Sequence, residues 1–329
     1  MTMKTATFGD NATGGQAVVP ALGYGCMGLS WAYVDDTISM DERRGILRQA
    51  ADAGVRLFDT SDQYGPFANE TLVGEALEER RSELFLATKG GLVVDTATGR
   101  TGNDGSPEHL HAALNGSLHR LGTDHVDLYQ LHRVDPGVPL ERSWEALAQE
   151  AEQGRARYLG LSEVSVEQIE RAQRIRRVDS VQSELSLWSR ETLDEVVPYC
   201  EEHGIVFIAY APLGRGFLTG AITSQDSLDA KDMRLSNARF RQPAIEANTR
   251  RVLDPLRQCA QALGASTAQV ALAWVLAQST NLVAIPGTKR PQRLNENIAA
   301  ASLELPEEWI DRLSQIPSAL GGRYEPAAK

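Results

Sequence analysis

Eight short apolar segments alternate with longer amphipathic segments along the 329 residues of the chain. The short segments have the length and the β-branched content of buried strands, and they cover residues 21–26, 55–59, 84–89, 126–132, 156–162, 180–185, 205–211 and 282–286. Strands separated by helices are joined by crossovers and therefore lie parallel. Eight such units predict an α/β fold, a single-domain (β/α)8 TIM barrel, rather than an open doubly wound sheet.

Capping residues bound several of the helical segments. Asp41 opens the first helix and Gly54 ends it, while Ser106 and Pro107 open the third helix and Gly122 ends it. The predicted helices cover residues 41–53, 69–81, 108–121, 140–153, 165–174, 191–203, 266–278, 291–300 and 306–315.

Three segments lie outside the alternation of strands and helices. Residues 1–20 are expected to form a hairpin that covers the bottom of the barrel, and residues 301–329 a C-terminal helix and tail. Residues 214–242, after the seventh strand, are expected to form a long polar loop, and loops of that length in a compact domain are usually functional. We expect one domain over residues 1–329.

The charge balance limits the partners of the protein. Lys and Arg number 33 against 44 Asp and Glu, and this formal net charge of −11 argues against a nucleic-acid or membrane-surface binder. The longest apolar run, residues 270–277, is too short to span a bilayer, and residues 1–11 carry no signal-peptide pattern. The three cysteines are widely spaced, which fits reduced thiols. We expect a cytoplasmic protein with a small-molecule partner, and an oligomer is compatible with the sequence.

Polar side chains end three consecutive predicted strands. Asp59 ends the second strand and Tyr64 follows in the next loop, Lys89 ends the third strand, and His132 ends the fourth. The C-terminal ends of barrel strands meet at one face, where active sites are built. Each residue alone is more often a cap, a packing residue or a solvated charge. Their joint occurrence at matching positions favours a site.

This set of residues suits protonation of an oxygen that gains charge when hydride reaches a carbonyl carbon. A phenol has a pKa of about 10 in water, and Lys89 is expected to lower the pKa of Tyr64 while Asp59 holds Lys89. His132 would donate a hydrogen bond to the carbonyl oxygen. Acyl transfer fits less well, because no Ser or Cys is paired with a base. A metal-dependent hydrolase has little support, and no metal is expected, because only one histidine lies at a strand end.

Hydride must come from a cofactor, and two segments are candidates for binding its phosphates. The GxGxxG at residues 23–28 does not open a helix, so we reject it as a Rossmann motif. Residues 286–297 form a Gly/Thr turn before a helix that carries three cations, a setting that favours an anion, with a solvated basic helix face as the equal alternative. The glycines of residues 211–220 allow close approach to a pyrophosphate. Tyr210 offers a flat face for nicotinamide, and Ser162 and Gln182 could bond its carboxamide.

The chain is similar to the aldo-keto reductases over nearly its whole length. Residues 57–60, 64–65, 69–70 and 74–77 match the first family signature, and residues 88–90, 131–133, 160–162 and 287–297 match later ones. Residues 25–28, 64–67 and 211–216 resemble the branch that includes pyridoxal and perakine reductases and bacterial members of broad carbonyl specificity.

The resemblance implies the catalytic tetrad Asp59, Tyr64, Lys89 and His132 and an NADPH or NADP+ cofactor that lies extended across the barrel. It also implies that Lys289 and Arg293 bind the adenosine 2′-phosphate. The cofactor-binding residues expected are Gly25, Met27, Asp59, Ser162, Gln182, Tyr210, Pro212, Leu213, Gly214, Arg215, Gly216, Gly287, Thr288, Lys289, Arg293, Glu296 and Asn297. Many family members have Asn where this chain has Glu163, which can accept a hydrogen bond from the carboxamide but cannot donate one.

Aromatic side chains are expected to wall the substrate pocket. Trp31 and Phe67 would lie beside Tyr64, with Trp188 and Phe240 as outer walls, although core packing is an equal alternative for Trp31, Trp188 and Phe240. We therefore expect NADPH-dependent reduction of aldehydes and some ketones to alcohols, with Tyr64 as the proton donor. The alternative is a nucleotide-sensing regulatory protein with weak reductase activity, because the family resembles the β subunits of potassium channels.

Overall fold

The computed structural model describes residues 4–10, 15–33, 37–95, 98–229 and 232–322. Its strands are β1 (Thr5–Phe8), β2 (Ala17–Pro20), β3 (Tyr24–Gly25), β4 (Leu57–Asp59), β5 (Phe85–Gly90), β6 (Leu92–Val94), β7 (Thr101–Asn103), β8 (Val126–Leu131), β9 (Ala156–Ser162), β10 (Ser180–Glu184), β11 (Val206–Tyr210) and β12 (Leu282–Ala284). Its helices are α1 (Met40–Asp52), α2 (Ala68–Leu77), α3 (Pro107–Leu121), α4 (Leu140–Glu152), α5 (Val166–Gln173), α6 (Val196–Glu202), α7 (Gln242–Asn248), α8 (Asp254–Leu263), α9 (Thr267–Leu276), α10 (Pro291–Ala300) and α11 (Glu307–Ser314). Residues 1–3 and 11–14 of the predicted hairpin, 230–231 of the predicted loop and 323–329 of the predicted tail lie outside the described residues.

Eight strands form one parallel sheet in the order β3-β4-β5-β8-β9-β10-β11-β12. A parallel bridge between Leu22 and Ala284 joins the first strand segment to the last and closes the sheet. The predicted (β/α)8 TIM barrel is confirmed, and each predicted strand segment contains one barrel strand or overlaps it. The first strand is shorter than predicted on its β4 side, where only Tyr24–Gly25 pairs, while Gly23 N donates to Ala284 O at 2.9 Å on the other side.

An N-terminal hairpin closes the end of the barrel where the strands begin. Strands β1 and β2 pair antiparallel, as expected for this segment. The ring centroid of Phe8, at the end of β1, lies 4.4 Å from that of Phe85, the first residue of β5. Ala6, Phe8 and Val19 share one buried cluster with strand side chains. This end is therefore filled by packed apolar side chains, and a site in a barrel is expected at the opposite end, where the strands finish.

The helices pack their apolar faces on the outside of the barrel. Trp144 on α4 and Trp274 on α9 are fully buried, and each indole N–H donates a hydrogen bond at 3.0 Å. The apolar run 270–277 belongs mostly to α9, which is buried on nearly every side. Among the described residues, no single helix is long and apolar enough to cross a bilayer. Only the pair Gln242–Leu263 and Thr267–Leu276 reaches that length and apolarity, and it is bent by 96°.

Some helix boundaries differ from the sequence prediction for local chemical reasons. Helix α1 is capped by Ser39 rather than Asp41, because Ser39 and Glu42 exchange hydrogen bonds in a capping box. The helix predicted over 191–203 is divided into a short 3-10 turn and α6. Pro198 explains the division, since it has no N–H to donate to the carbonyl group four residues earlier.

Two features of the structure are absent from the sequence prediction. Strands β6 and β7 form a small antiparallel hairpin directly after β5, and the exposed Gly- and Thr-containing β7 shows no apolar alternation that would predict it. Helix α8 follows α7 through a π-helical turn at Thr249–Leu253, and adjacent arginines and Pro255 obscure its periodicity. The segment predicted as a long loop after β11 contains short 3-10 turns before α7 begins.

Candidate active site

Four polar side chains meet at the C-terminal end of the barrel. Asp59 is the last residue of β4, Lys89 lies one residue before the end of β5, and His132 directly follows β8. Tyr64 lies in the turn between β4 and α2. Lys89 Nζ lies 2.5 Å from Asp59 Oδ1 and 3.3 Å from the Tyr64 hydroxyl oxygen. The structure thus brings together the four residues that the strand ends single out.

Lys89 is completely buried and donates to three oxygen atoms. Besides Asp59 and Tyr64, its ammonium group donates to the carbonyl oxygen of Thr60 at 2.8 Å. Burial on its own would lower the pKa of Lys89, but the neighbouring Asp59 and Tyr64 raise it above its ordinary value. The lysine therefore stays charged beside the phenol oxygen.

Two amide side chains hold the other oxygen of Asp59. Asp59 Oδ2 accepts from Gln182 Nε2 at 2.8 Å and from Gln130 Nε2 at 3.3 Å. A buried carboxylate needs such partners. Gln130 is not among the residues predicted from the sequence, although strand alternation places it on the same face as His132, two residues later. Gln182 was expected to bind the nicotinamide carboxamide, and in this structure its amide group donates to Asp59.

Tyr64 is 8% exposed and packs edge-on against two rings. Its ring centroid lies 6.0 Å from that of Trp31 and 5.9 Å from that of His132. Burial raises the pKa of Tyr64, and this effect outweighs the lowering by Lys89 and Arg133. Lys89 lowers the pKa of Tyr64 as expected, but desolvation of the phenolate is the larger effect, so the pKa is raised overall. Tyr64 is a protonated phenol at neutral pH.

His132 is a neutral imidazole. Burial, together with the positive charges of Lys89 and Arg133, holds the pKa of His132 well below its usual range. Its Nδ1 atom lies 3.1 Å from Ser61 Oγ. Among the described residues, no hydrogen-bond partner reaches Nε2. A neutral ring with one engaged nitrogen can offer the other to a ligand.

The residues expected around nicotinamide lie on neighbouring strands. Ser162 at the end of β9 is paired in register with Gln182 on β10, and Tyr210 ends the adjacent β11. Ser162 Oγ accepts from Arg133 Nη1 at 3.0 Å. Glu163, which stands where many relatives have Asn, has a left-handed backbone with φ 57°, and its carboxylate accepts from the amide N–H of Glu184 at 3.0 Å.

The turn after β11 contains three consecutive residues with a left-handed backbone, and two of them are glycines. Residues 214, 215 and 216 have φ values of 56°, 55° and 92°. Arg215 turns back to Glu184 at 3.1 Å, and Arg234 Nη1 donates to the carbonyl oxygen of Arg215 at 2.8 Å. The predicted cofactor-binding residues of this turn are Pro212, Leu213, Gly214, Arg215 and Gly216.

The turn after β12 touches the turn after β3. A Cβ on Gly287 would meet the carbonyl oxygen of Gly25 at under 3.0 Å, so the two backbones approach this closely because residue 287 has no side chain. The Tyr24 hydroxyl donates to the carbonyl oxygen of Thr288. Met27 begins the 3-10 turn after β3. No α-helix starts there, since α1 begins only at Met40, and this agrees with rejecting a Rossmann motif.

The cations of the last unit lie at the start of α10. Lys289 Nζ donates to the carbonyl oxygen of Tyr33. Arg293 pairs with Glu296 at 2.6 Å on the exposed face of α10, and Asn297 is buried one residue further on. Lys289 therefore lies in the turn before α10, and Arg293, Glu296 and Asn297 lie in the first two turns of that helix.

The aromatic residues expected in the substrate pocket lie in different settings. Trp31 contacts Tyr64 edge-on, whereas Phe67 is 50% exposed and lies under the Arg120 guanidinium at 4.5 Å. Trp188 and Phe240 are 3% and 2% exposed, and they pack on each other with ring centroids 5.3 Å apart. Within the described part of the chain, only Trp31 among these four forms a ring contact with Tyr64. Among the residues that the structure describes, no group of three or more potential metal ligands occurs.

Comparisons with known proteins agree with this architecture. The family model described as "Aldo/keto reductase family" matches residues 21–317. The chain is 38% identical over 322 residues to "Aldo-keto reductase yakc [NADP(+)]" of Schizosaccharomyces pombe, with 95% of this chain and 94% of that protein covered. Its fold is similar to that of a glycerol dehydrogenase from Gluconobacter oxydans, with a TM-score of 0.84, 26% identity and 95% of each chain covered. It is also similar to an aldo-keto reductase from Klebsiella pneumoniae in complex with NADPH, with a TM-score of 0.73, 26% identity and 96% and 97% coverage. The chain belongs to the aldo/keto reductase family.

Proposed function

We propose that the protein reduces aldehydes, and some ketones, to alcohols with NADPH, and that Tyr64 is the proton donor. The observation that carries this proposal is the buried ammonium of Lys89, which contacts both the Asp59 carboxylate and the Tyr64 hydroxyl. An ammonium at 3.3 Å stabilises the phenolate that Tyr64 leaves behind when it gives up its proton.

The residues around the tetrad fit a phosphorylated nicotinamide cofactor. Gly25 and Gly287 let the turns after β3 and β12 lie against each other, since a Cβ on either residue would meet the facing backbone at under 3.0 Å. Lys289 and Arg293 place two cations at the start of α10 beside this contact. When bound, NADPH supplies hydride to a carbonyl carbon. The name of the Schizosaccharomyces pombe relative includes NADP(+), and the Klebsiella pneumoniae structure contains NADPH. Both support the same cofactor for this chain.

In the proposed reaction, the tetrad transfers one proton from Tyr64 to the substrate oxygen. An alkoxide is more basic than a phenolate, so Tyr64 can protonate it even with a raised pKa. Lys89 remains an ammonium because Asp59 lies against it, and it stabilises the resulting phenolate. Neutral His132 orients the carbonyl oxygen through Nε2. In the reverse direction, the Tyr64 phenolate accepts the proton of an alcohol.

The substrates that we propose are aldehydes with an apolar or aromatic body. The ring of Trp31 lies edge-on to that of Tyr64, with centroids 6.0 Å apart, so the proposed proton donor has an aromatic neighbour. Aromatic walls bury apolar surface and offer few hydrogen bonds to a polyhydroxylated substrate.

A carbonyl panel assayed by the loss of reduced-nicotinamide absorbance tests the proposed function. The wild-type chain should turn over small aromatic aldehydes with NADPH. Tyr64→Phe should lose at least about 100-fold in kcat, while NADPH binding, measured by fluorescence titration, stays within about twofold. Tight NADPH binding with no turnover of any carbonyl would instead favour the nucleotide-sensing alternative. Equal turnover by Tyr64→Phe would exclude its role as proton donor.

The cofactor assignment has its own test at α10. The double variant Lys289→Ala/Arg293→Ala should weaken NADPH binding by at least about 10-fold and NADH binding little, because only NADPH carries the 2′-phosphate. Arg257→Ala is the matched control, since this exposed arginine pairs with Asp254 on α8 and lies outside the assigned site. Parallel losses for NADPH and NADH would place the 2′-phosphate elsewhere.

A further inference from the structure

We propose that Ser61 and Asp62 form a hydrogen-bonded relay that determines which ring nitrogen of His132 carries the proton, and that the protonation of Asp62 switches the relay. The inference rests on the proposed function only in its consequence for catalysis. The relay itself is a property of the protein without substrate. Ser61 and Asp62 are positioning residues, because they act on the substrate through His132.

The three side chains form a continuous chain behind the tetrad. Ser61 Oγ lies 3.1 Å from His132 Nδ1 and 3.2 Å from Asp62 Oδ1. Ser61 is completely buried and Asp62 is 3% exposed. The serine oxygen also accepts from the amide N–H of Gln63 at 3.2 Å. A further acceptor, the carbonyl oxygen of Lys89, lies at 3.5 Å, the outer limit of a hydrogen bond.

Ser61 has one hydroxyl proton to donate. Asp62 Oδ1 and His132 Nδ1 are the two possible acceptors that lie nearer than the carbonyl oxygen of Lys89. When Asp62 is ionised, Ser61 donates to the carboxylate, so its oxygen accepts from a protonated Nδ1 of His132. The Nε2 atom then presents a lone pair to the pocket. When Asp62 is protonated, its O–H donates to Ser61 and Ser61 donates to Nδ1. The ring proton is then on Nε2.

The switch takes up one proton in total and leaves the ring neutral. A proton added at Nε2 is balanced by transfer of the Nδ1 proton to Ser61 and of the Ser61 proton to Asp62. The imidazole is neutral before and after, because burial, Lys89 and Arg133 hold the pKa of His132 well below its usual range. The net change is therefore the neutralisation of the Asp62 carboxylate.

The surroundings of Asp62 make this change accessible near neutral pH. Burial and the negative charge of Glu70 on α2 raise the pKa of Asp62 to about 7, while Arg120 on α3 lowers it. Tyr129 on β8 faces the same carboxyl group and is itself a neutral phenol, since burial raises its pKa. Glu70 is occupied by Thr88 at 2.5 Å and by Arg120 at 2.7 Å. Glu70 therefore bonds to Thr88 and Arg120, and Asp62 is the carboxyl group that bonds to Ser61.

The two states differ in how well they serve the proposed reduction. A protonated Nε2 donates to a carbonyl oxygen and so favours reduction, whereas an Nε2 lone pair has no proton to donate to that oxygen. We expect kcat/KM for aldehyde reduction to fall by about tenfold as pH rises through neutrality.

The direct test is the ¹⁵N NMR spectrum of the histidine rings in the full-length chain between pH 5.5 and 8.5. The chain has six histidines, and His132→Gln identifies the signals of His132 by their disappearance. In the wild type, the protonated nitrogen of His132 should change from Nε2 to Nδ1 as pH rises. The change should be absent in Asp62→Asn and Ser61→Ala and should be retained in Ser61→Thr, which keeps the hydroxyl.

Asp179→Asn is the matched control for removal of a buried carboxyl group. Asp179 is also buried with a raised pKa, but it precedes β10 and accepts from the amide N–H of Leu159 at 2.9 Å, away from the relay. Its removal should leave the His132 switch intact. A wild-type His132 that keeps one tautomer throughout, or a switch that persists in both Asp62→Asn and Ser61→Ala, would overturn the relay. Because this spectrum requires no turnover, absence of carbonyl reduction would contradict the proposed function and leave the relay result standing.

Discussion

Lys89 is the residue on which the other members of the tetrad depend. It is fully buried, and its charge is balanced by Asp59 at 2.5 Å. Removing one partner of a buried ion pair leaves the other charge uncompensated, and this costs more than removing both. In the proposed reaction the same ammonium stabilises the phenolate of Tyr64, so we expect stability and activity to be coupled at this position.

Lys89→Met should therefore lower both activity and stability. We expect kcat to fall at least about 100-fold and the free energy of unfolding to fall by about 3–5 kcal/mol. Urea unfolding and turnover with an aromatic aldehyde measure the two effects. The double variant Lys89→Met/Asp59→Asn should regain most of the stability and none of the activity. A single variant as stable as the wild type would contradict the buried pair.

Asp62 should make the stability of the protein depend on pH. The pKa of Asp62 in the folded state, about 7, is raised above the unfolded value of about 3.9. The contribution of Asp62 to the free energy of unfolding is therefore complete below pH 4 and is lost as pH rises to about 7. The wild type should therefore lose up to about 4 kcal/mol relative to Asp62→Asn between pH 4 and pH 8. Urea unfolding of both proteins at several pH values measures this difference. A difference that does not vary with pH would show that Asp62 is ionised throughout.

At the scale of the elements, the sequence predicts most of what positions the site. Short apolar segments locate the eight barrel strands because both faces of a parallel strand are buried. Asp59, Lys89 and His132 could be found because they end such segments. The hydrogen bonds of Gln182 to Asp59 and of Ser61 to His132 could not, since each joins elements far apart in the chain. The net direction of the pKa shift at Tyr64 depends on burial, which sequence spacing does not reveal.

The contact between the turns after β3 and β12 can be tested by one added methyl group. Gly287→Ala should push the two turns apart, because its Cβ would meet the carbonyl oxygen of Gly25. We expect NADPH binding to weaken by about tenfold. Gly45→Ala on α1 is the control, since a Cβ there meets nothing within 4 Å and alanine favours a helix. Unchanged NADPH affinity in Gly287→Ala would show that cofactor binding does not depend on this contact between the turns.

Along the barrel axis, apolar packing lies at one end of the molecule and the buried polar side chains lie at the other. The N-terminal hairpin and Phe8 fill one end with apolar side chains, and the tetrad lies at the other. The chain as a whole is acidic, with a net charge of −11. The cations Lys289 and Arg293 are therefore a local feature and do not belong to a generally basic surface. This arrangement suits one small phosphorylated ligand and one small carbonyl compound.

Transfer of deuterium from NADPH labelled at the reactive C4 position tests the central claim most directly. The wild-type chain, incubated with an aromatic aldehyde, should yield an alcohol that carries one deuterium on the former carbonyl carbon, as detected by mass spectrometry. Tyr64→Phe, which should bind the labelled NADPH equally well, should form almost none. A folded, NADPH-bound wild type that yields no labelled alcohol from any carbonyl compound would contradict the account.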